Sequence, residues 1–272
     1  MFGTMCEVRL TKVHEGLNLK DKAGLVTGGA SGIGREIAIL MAHKGASVAI
    51  LDVDFARAAA VEKEIGNQTK QSLAIPGDVS IAGQVEMAYK TMLSEFGRLD
   101  ILVNCAAIGT NETTLTTTEY LWETIMSTNL KGVFICSKLA VEIMLNQGHG
   151  GSIINICSTA ANNARVGGIA YSTSKAGVVQ FTKSLALEMG PYGIRVNAVS
   201  PSLTDFDHGQ NPKSTSSYRK AFIEQTPLGR TAQAVEIANT VIFLASEDAK
   251  FITGEVIHVD GGYSAGKFTV KD

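Results

Sequence analysis

Hydrophobic residues in this chain alternate between two textures: short unbroken apolar runs, and longer stretches with apolar positions every three or four residues. The runs are Gly24–Thr27, Ser47–Leu51, Ser72–Ile75, Ile101–Asn104, Ser152–Cys157, Arg195–Val199 and Val256–Val259. Several lack polar alternation, as strands buried on both faces require. Between them lie helical patterns over Arg35–Lys44, Phe55–Ile65, Ala82–Phe96, Thr118–Asn146, Tyr171–Met189 and Ala234–Ala245. Strand-helix alternation implies parallel strands joined by right-handed crossovers, hence an α/β, doubly wound parallel sheet with helices on both faces. No internal repeat or low-complexity linker interrupts the order, which predicts one domain over 19–272. Residues 1–18 have neither periodicity nor a turn pattern and read as an N-terminal extension.

One segment departs from this rhythm. Ser202 to Thr226 is polar, rich in Ser, Asn and Lys, and without sustained apolar periodicity. It directly follows a strand, so it is expected over the carboxyl ends of the strands, where open α/β sheets bind ligands. A long insertion in that place reads as a lid over a substrate.

Composition narrows the classes of function. The chain has 272 residues, 45% of them hydrophobic and 18% charged, with a net charge of -2. Those are globular values, and the charge gives no reason to expect nucleic acid or an anionic membrane as partner. No apolar run approaches the roughly 18 residues of a transmembrane helix. The opening MFGTMCEVRLTKVHEG lacks the basic-then-apolar layout of a signal peptide, so a cytoplasmic location is expected. Cys6, Cys105, Cys136 and Cys157 show no C-x-x-C spacing and no histidine partners. They read as reduced packing thiols, and no metal is expected.

The chemistry begins at the first strand, which runs into Thr27-Gly28-Gly29-Ala30-Ser31-Gly32-Ile33-Gly34 and then a helix. Glycines at a strand-to-helix turn permit the sharp bend and a close backbone approach to a pyrophosphate beside the helix N-terminus. Asp52 ends the second strand, twenty residues beyond Gly32. A carboxylate there accepts hydrogen bonds from the adenosine ribose hydroxyls and repels a 2′-phosphate. Ser31 and Val53-Asp54 occupy the places where basic residues would receive that phosphate, so NAD is expected as the cofactor. Further along, Tyr171 and Lys175 stand one helical turn apart, with Ser158 thirteen residues before the tyrosine. A free phenol is a reluctant acid at neutral pH, and a nearby ammonium favours its phenolate, making such a tyrosine a usable proton donor or acceptor.

Thr27-Gly28-x-x-x-Gly32-x-Gly34, Asp78-Val79, Asn129, Ser158, Tyr171-x-x-x-Lys175 and the ending Ile252-Thr253-Gly254 to Gly262 resemble, in order and spacing, the short-chain dehydrogenases/reductases. The resemblance runs from about Leu17 to Gly262. It implies a Rossmann-type, seven-stranded sheet, assembled as a homotetramer or homodimer. It also implies roles: Tyr171 as catalytic acid/base, Lys175 as the residue that favours its phenolate and holds the nicotinamide ribose, and Ser158 as partner of the reacting oxygen. By the same resemblance Asn129 positions a water for proton relay, Asp78 and Val79 contact the adenine, and Asn104 lies near the cofactor ribose. The chain departs from the family pattern at two places. Asn104-Cys105-Ala106 replaces Asn-Ala-Gly, which narrows the floor of the nicotinamide pocket. Pro201-Ser202 replaces Pro-Gly, and the expected threonine is displaced to Thr204, with Phe206 at its place.

The leading expectation is an NAD-dependent oxidation of a secondary alcohol, with cyclic, terpenoid and steroid-like alcohols among the candidates, or the reverse reduction of a ketone. The alternative is a reductase of 3-oxoacyl thioesters, whose family members usually take NADPH; Asp52 argues against it. A dinucleotide sensor without turnover fits least, because Tyr171 and Lys175 are both retained. The substrate pocket is expected to draw on 107–110, 160–166 and the lid.

Overall fold

The computed structural model describes residues 17–66, 72–205 and 216–266. The elements run β1 (Ala23–Thr27), α1 (Gly32–His43), β2 (Ser47–Asp52), α2 (Phe55–Gly66), β3 (Ser72–Pro76), α3 (Ala82–Phe96) and β4 (Ile101–Asn104). Then follow α4 (Glu119–Met126), α5 (Gly132–Gln147), β5 (Gly151–Ile156), α6 (Ile169–Met189) and β6 (Ile194–Pro201). The last elements are β7 (Thr204–Asp205), α7 (Ser216–Glu224), β8 (Ala232–Gln233), α8 (Ala234–Ala245) and β9 (Val256–Val259). Seven strands make one parallel sheet in the order β3-β2-β1-β4-β5-β6-β9. The chain winds outward from β1 to β3, then returns to the other side of β1 with β4. The connections after β1 and β4 therefore leave in opposite directions and open a crevice between them.

The unbroken apolar runs have a direct cause. Leu25 and Val26, adjacent on β1, are both fully buried but on opposite faces. Leu25 packs in a cluster with Val85 and Met92 of α3 and Met144 of α5. Val26 packs with Ile37 and Met41 of α1 and Ile237 and Val241 of α8. Leu19 is buried and Leu17 packs beside it in the second cluster, so ordered packing begins ahead of the sheet. The expected extension up to residue 16, including Cys6, lies outside the described residues, as does Phe206.

Two expectations on secondary structure need correction. The helix expected over Thr118–Asn146 is interrupted: α4 and α5 are joined by a π-helical turn, Ser127–Lys131. Apolar periodicity is nearly blind to one inserted residue, so the pattern concealed it. The 202–226 segment is not irregular throughout. Thr204–Asp205 pairs with Ala232–Gln233 as a two-stranded sheet, and α7 follows. The helix is short, and only its spacing of Tyr218 and Phe222 marked it.

Candidate active site

The crevice is built first from glycine. Gly28 has φ +66, and a Cβ there would lie 2.7 Å from Ala106 Cα in the connection after β4. A Cβ on Gly34 would lie 2.1 Å from the Gly28 carbonyl oxygen, so only glycine lets α1 start this close to the turn. Ser31 is the N-cap of α1, but its hydroxyl makes no capping bond. Ile33 packs against the core beneath α1. The Thr27 hydroxyl accepts from the amides of Cys105 and Ala106 at 3.0 and 3.2 Å, tying the ends of β1 and β4 together.

Asp52, the last residue of β2, faces this turn. Its carboxylate accepts from the Ala30 amide at 3.0 Å and from the Asp54 amide at 3.0 Å. Each oxygen keeps a further lone pair for a ribose hydroxyl. The neighbouring arginines are taken: Arg35 binds Glu36 and, through two bonds, Glu64, and Arg57 pairs with Asp54. Asp78 closes a turn after β3, its carboxylate accepting from the Ser80 amide at 2.8 Å. The Val79 side chain points into the core against Gly132, leaving its backbone for any nucleotide contact.

Behind the crevice runs a buried chain of amides and hydroxyls. Asn104 Nδ2 donates to Ser137 Oγ and Asn155 Oδ1, and Asn155 Nδ2 donates to Thr182 Oγ1. This locks β4, β5 and two helices in register, while the Asn104 carboxamide oxygen has no protein partner. An orphaned buried acceptor carries a cost of roughly 1–3 kcal/mol unless a ligand or water donates to it.

The first turns of α6 carry Tyr171 and Lys175. The Lys175 Nζ lies 5.9 Å from the centre of the Tyr171 ring. Lys175 is only 2% exposed, and its ammonium donates to the Ile156 carbonyl at 2.7 Å. A buried ammonium has three donors to satisfy, and one bond is made here. The ribose hydroxyls of a nicotinamide nucleotide fit that unmet demand. Tyr171 is half-buried, its ring bordering Gly109 after β4. Ser158 starts a short helical turn, its hydroxyl accepting from the Ala160 amide at 3.2 Å.

Asn129 sits inside the π-turn and is fully buried. Its carboxamide accepts from the Ile108 amide at 2.8 Å and donates to the Ile108 carbonyl at 2.9 Å. It also donates to Ser174 Oγ, which in turn donates to the Tyr171 carbonyl. The side chain thus clamps the connection after β4 to α6. With the side chain engaged, any water it positions must be held by its backbone. Ser174, which completes the clamp, escaped the sequence reading, because a buried serine inside a helix leaves no pattern.

Thr204 is buried, its hydroxyl donating to the Ser202 carbonyl at 3.0 Å. Beside it, Asp205 forms a paired-bond ion contact with Arg219 of α7 and accepts from the Thr231 hydroxyl at 2.7 Å. That contact raises the Arg219 guanidinium above its ordinary range. These residues fasten α7 to the small β7–β8 sheet; they were missed because their partners are 14 and 26 residues apart. Arg165 was also overlooked, although it is the one charged residue between Ser158 and Tyr171. Burial pushes the Cys136 thiol up to about 12, and raises Cys105 despite the opposing charge of Lys175, so both stay protonated.

Comparison with known proteins bears on this geometry. A family model described as enoyl-(acyl carrier protein) reductase matches residues 28–264. A 3-oxoacyl-(acyl-carrier-protein) reductase of Staphylococcus aureus is 41% identical over 245 residues, covering 89% of this chain and 97% of the relative. A protein of the same description from Aquifex aeolicus is 37% identical over 247 residues, 90% of this chain and 98% of the relative. The solved structure of a short-chain type dehydrogenase/reductase from Mycobacterium marinum superposes with a TM-score of 0.86 at 33% identity. It covers 92% of this chain and 98% of its own.

Proposed function

The chain belongs to the short-chain dehydrogenase/reductase family, and from that premise we propose that it reduces the ketone of a 3-oxoacyl thioester with hydride from NADH. The carrying observation is the buried Lys175 ammonium beside Tyr171, with donors left over for a nucleotide ribose. The thioester is supported by relatives described as 3-oxoacyl-(acyl-carrier-protein) reductases that match nearly end to end. Alcohol oxidation, which sequence alone placed first, is then the reverse of the same chemistry.

A bound nicotinamide supplies or accepts the hydride. The chain's own residues handle position and proton. Ser158 and Tyr171 donate hydrogen bonds to the ketone oxygen and fix the carbonyl in the crevice. As the oxygen gains charge, the Tyr171 phenol delivers its proton to it, with the Lys175 ammonium 5.9 Å from the centre of its ring. Asn129 holds Ile108 and Ser174 so that this group keeps its geometry. Asp52, Asp78 and the Gly28–Gly34 turn would hold the adenosine and pyrophosphate, and Asn104 and Thr204 would serve the nicotinamide half. Thr204–Asp205 and α7, fastened to each other by Asp205 and Arg219, would flank the substrate; residues 206–215 of the expected lid lie outside the described residues.

NADH is preferred because Asp52 accepts from ribose hydroxyls, and the arginines near it are already paired with carboxylates. The test is reduction of an acetoacetyl thioester, followed by loss of reduced-nicotinamide absorbance with each cofactor. We expect turnover, with kcat/KM for NADH above that for NADPH by at least about tenfold, a difference of about 1.4 kcal/mol. A preference for NADPH removes the Asp52 argument, and no thioester turnover removes the substrate.

The homodimer or homotetramer contact falls, on this proposal, on the apolar groove of about 670 Å³ lined by Trp122, Met126, Leu130, Phe134 and Phe181. Phe134 is half exposed and meets Phe181 edge-on at 6.4 Å. Phe134→Glu should lower the mass measured by light scattering; an unchanged mass would put the contact elsewhere.

A further inference from the structure

Arg165 stands beside the crevice without a carboxylate. Arg35, Arg98, Arg219 and Arg230 each hold one, and Arg195, which ties only the Leu244 and Ser246 carbonyls, sits at the start of β6. Among the described residues Arg165 holds none: its Nη1 donates to the Asn111 side-chain oxygen at 2.8 Å and its Nη2 to the Thr110 carbonyl at 2.9 Å. Its guanidinium lies 5.9 Å from the centre of the Tyr218 ring on α7. A guanidinium has five N–H donors, so these two bonds leave three, the Nε–H among them.

Its position matters as much as its charge. Thr110 follows Gly109, which borders the Tyr171 ring. Arg165, in the connection after β5, therefore reaches both α7 and the connection after β4, which borders Tyr171. Phe222 of α7 stacks on Tyr263 at 4.4 Å, forming an apolar wall beside it. Arg165 also acts on that wall electrically: burial pushes the Tyr263 phenol up, and Arg165 pulls the other way. A partly buried cation with three spare donors, and without a counter-ion among the described residues, suits an anion that arrives with a ligand.

We infer that Arg165 reads an oxyanion on the substrate, a carboxylate or a phosphate carried away from the reacting carbonyl. The inference deepens the proposed reduction and rests on it for the carbonyl chemistry. The planar fork of Arg165 matches either group, and Tyr218 holds its orientation.

The test compares kcat/KM for two matched pairs of substrates. One pair is acetoacetyl-coenzyme A against the neutral N-acetylcysteamine thioester of the same acyl group. The other is an oxo acid against its methyl ester. The wild-type protein should favour the anionic member of one pair by roughly tenfold or more. A preference within the first pair identifies phosphate; within the second, carboxylate. Arg165→Gln should erase that preference through KM, costing the anionic member roughly tenfold more in kcat/KM than the neutral one, and Arg165→Lys should restore part of it. Equal losses on both members, or no anionic preference in the wild type, would overturn the assignment and make Arg165 a structural tie. If neither thioester is reduced while the oxo acid pair is discriminated, the thioester reading fails and this one stands.

Discussion

Replacing Tyr171 with phenylalanine should lower kcat by about 10²–10⁴ while the dissociation constant for NAD stays within about twofold. The expectation follows from what the hydroxyl does and does not hold. The Tyr171 ring packs beside Gly109, and its backbone carbonyl accepts from Ser174; neither contact involves the phenol oxygen. Phenylalanine keeps both, so the fold loses little, and thermal unfolding should shift only slightly. On the proposed reaction, what disappears is the proton that reaches the ketone oxygen as its carbon is reduced. Nothing else nearby replaces it well: Ser158 is a far weaker acid, and the remaining Lys175 donors are, on the proposed reaction, turned to the ribose. Steady-state kinetics with fluorescence titration of the cofactor separates the two effects. A variant that kept most of its kcat would remove Tyr171 from the proton transfer.

How much of this was legible in the sequence depends on whether the signal is local. The sheet was readable because Leu25 and Val26 must both be apolar when their strand is covered on both faces. Nearly every strand and helix was found within a few residues for that reason. Gly28, Gly34 and Asp52 were readable because each is marked by its own residue type and place, glycines at a strand-to-helix turn and an acid at a strand end, without its partner being known. Interactions between distant segments were not. The clamp of Asn129 on Ile108 spans 21 residues and uses a backbone partner that no pattern marks. The Asp205–Arg219–Thr231 contact and α7 lay in a stretch whose polar composition resembles a loop. Arg165 had a signal, a single charge in an otherwise uncharged connection, but its reach to Thr110 and Tyr218 required the fold.

Lys175→Met should lower kcat by about 10²–10³ and weaken NAD binding by about tenfold, without destabilising the protein. The opposed signs carry the argument. Lys175 is 2% exposed with one protein hydrogen bond and no carboxylate partner among the described residues, so its charge is costly in the empty fold. Methionine fills nearly the same volume without a charge to desolvate; removing buried charge in this way is often neutral or stabilising. Against that stands the Ile156 carbonyl, which loses a donor at a cost of about 1 kcal/mol. The melting temperature should therefore stay level or rise. On the proposed reaction activity moves the other way, because the ammonium beside Tyr171, with donors free for the ribose, is gone. Tyr171→Phe spares cofactor binding and Lys175→Met does not, so the pair separates proton delivery from nucleotide capture. A Lys175→Met protein that is destabilised but binds NAD as tightly as wild type would mean the ammonium serves the fold, and the fit of a ribose to its free donors would be wrong.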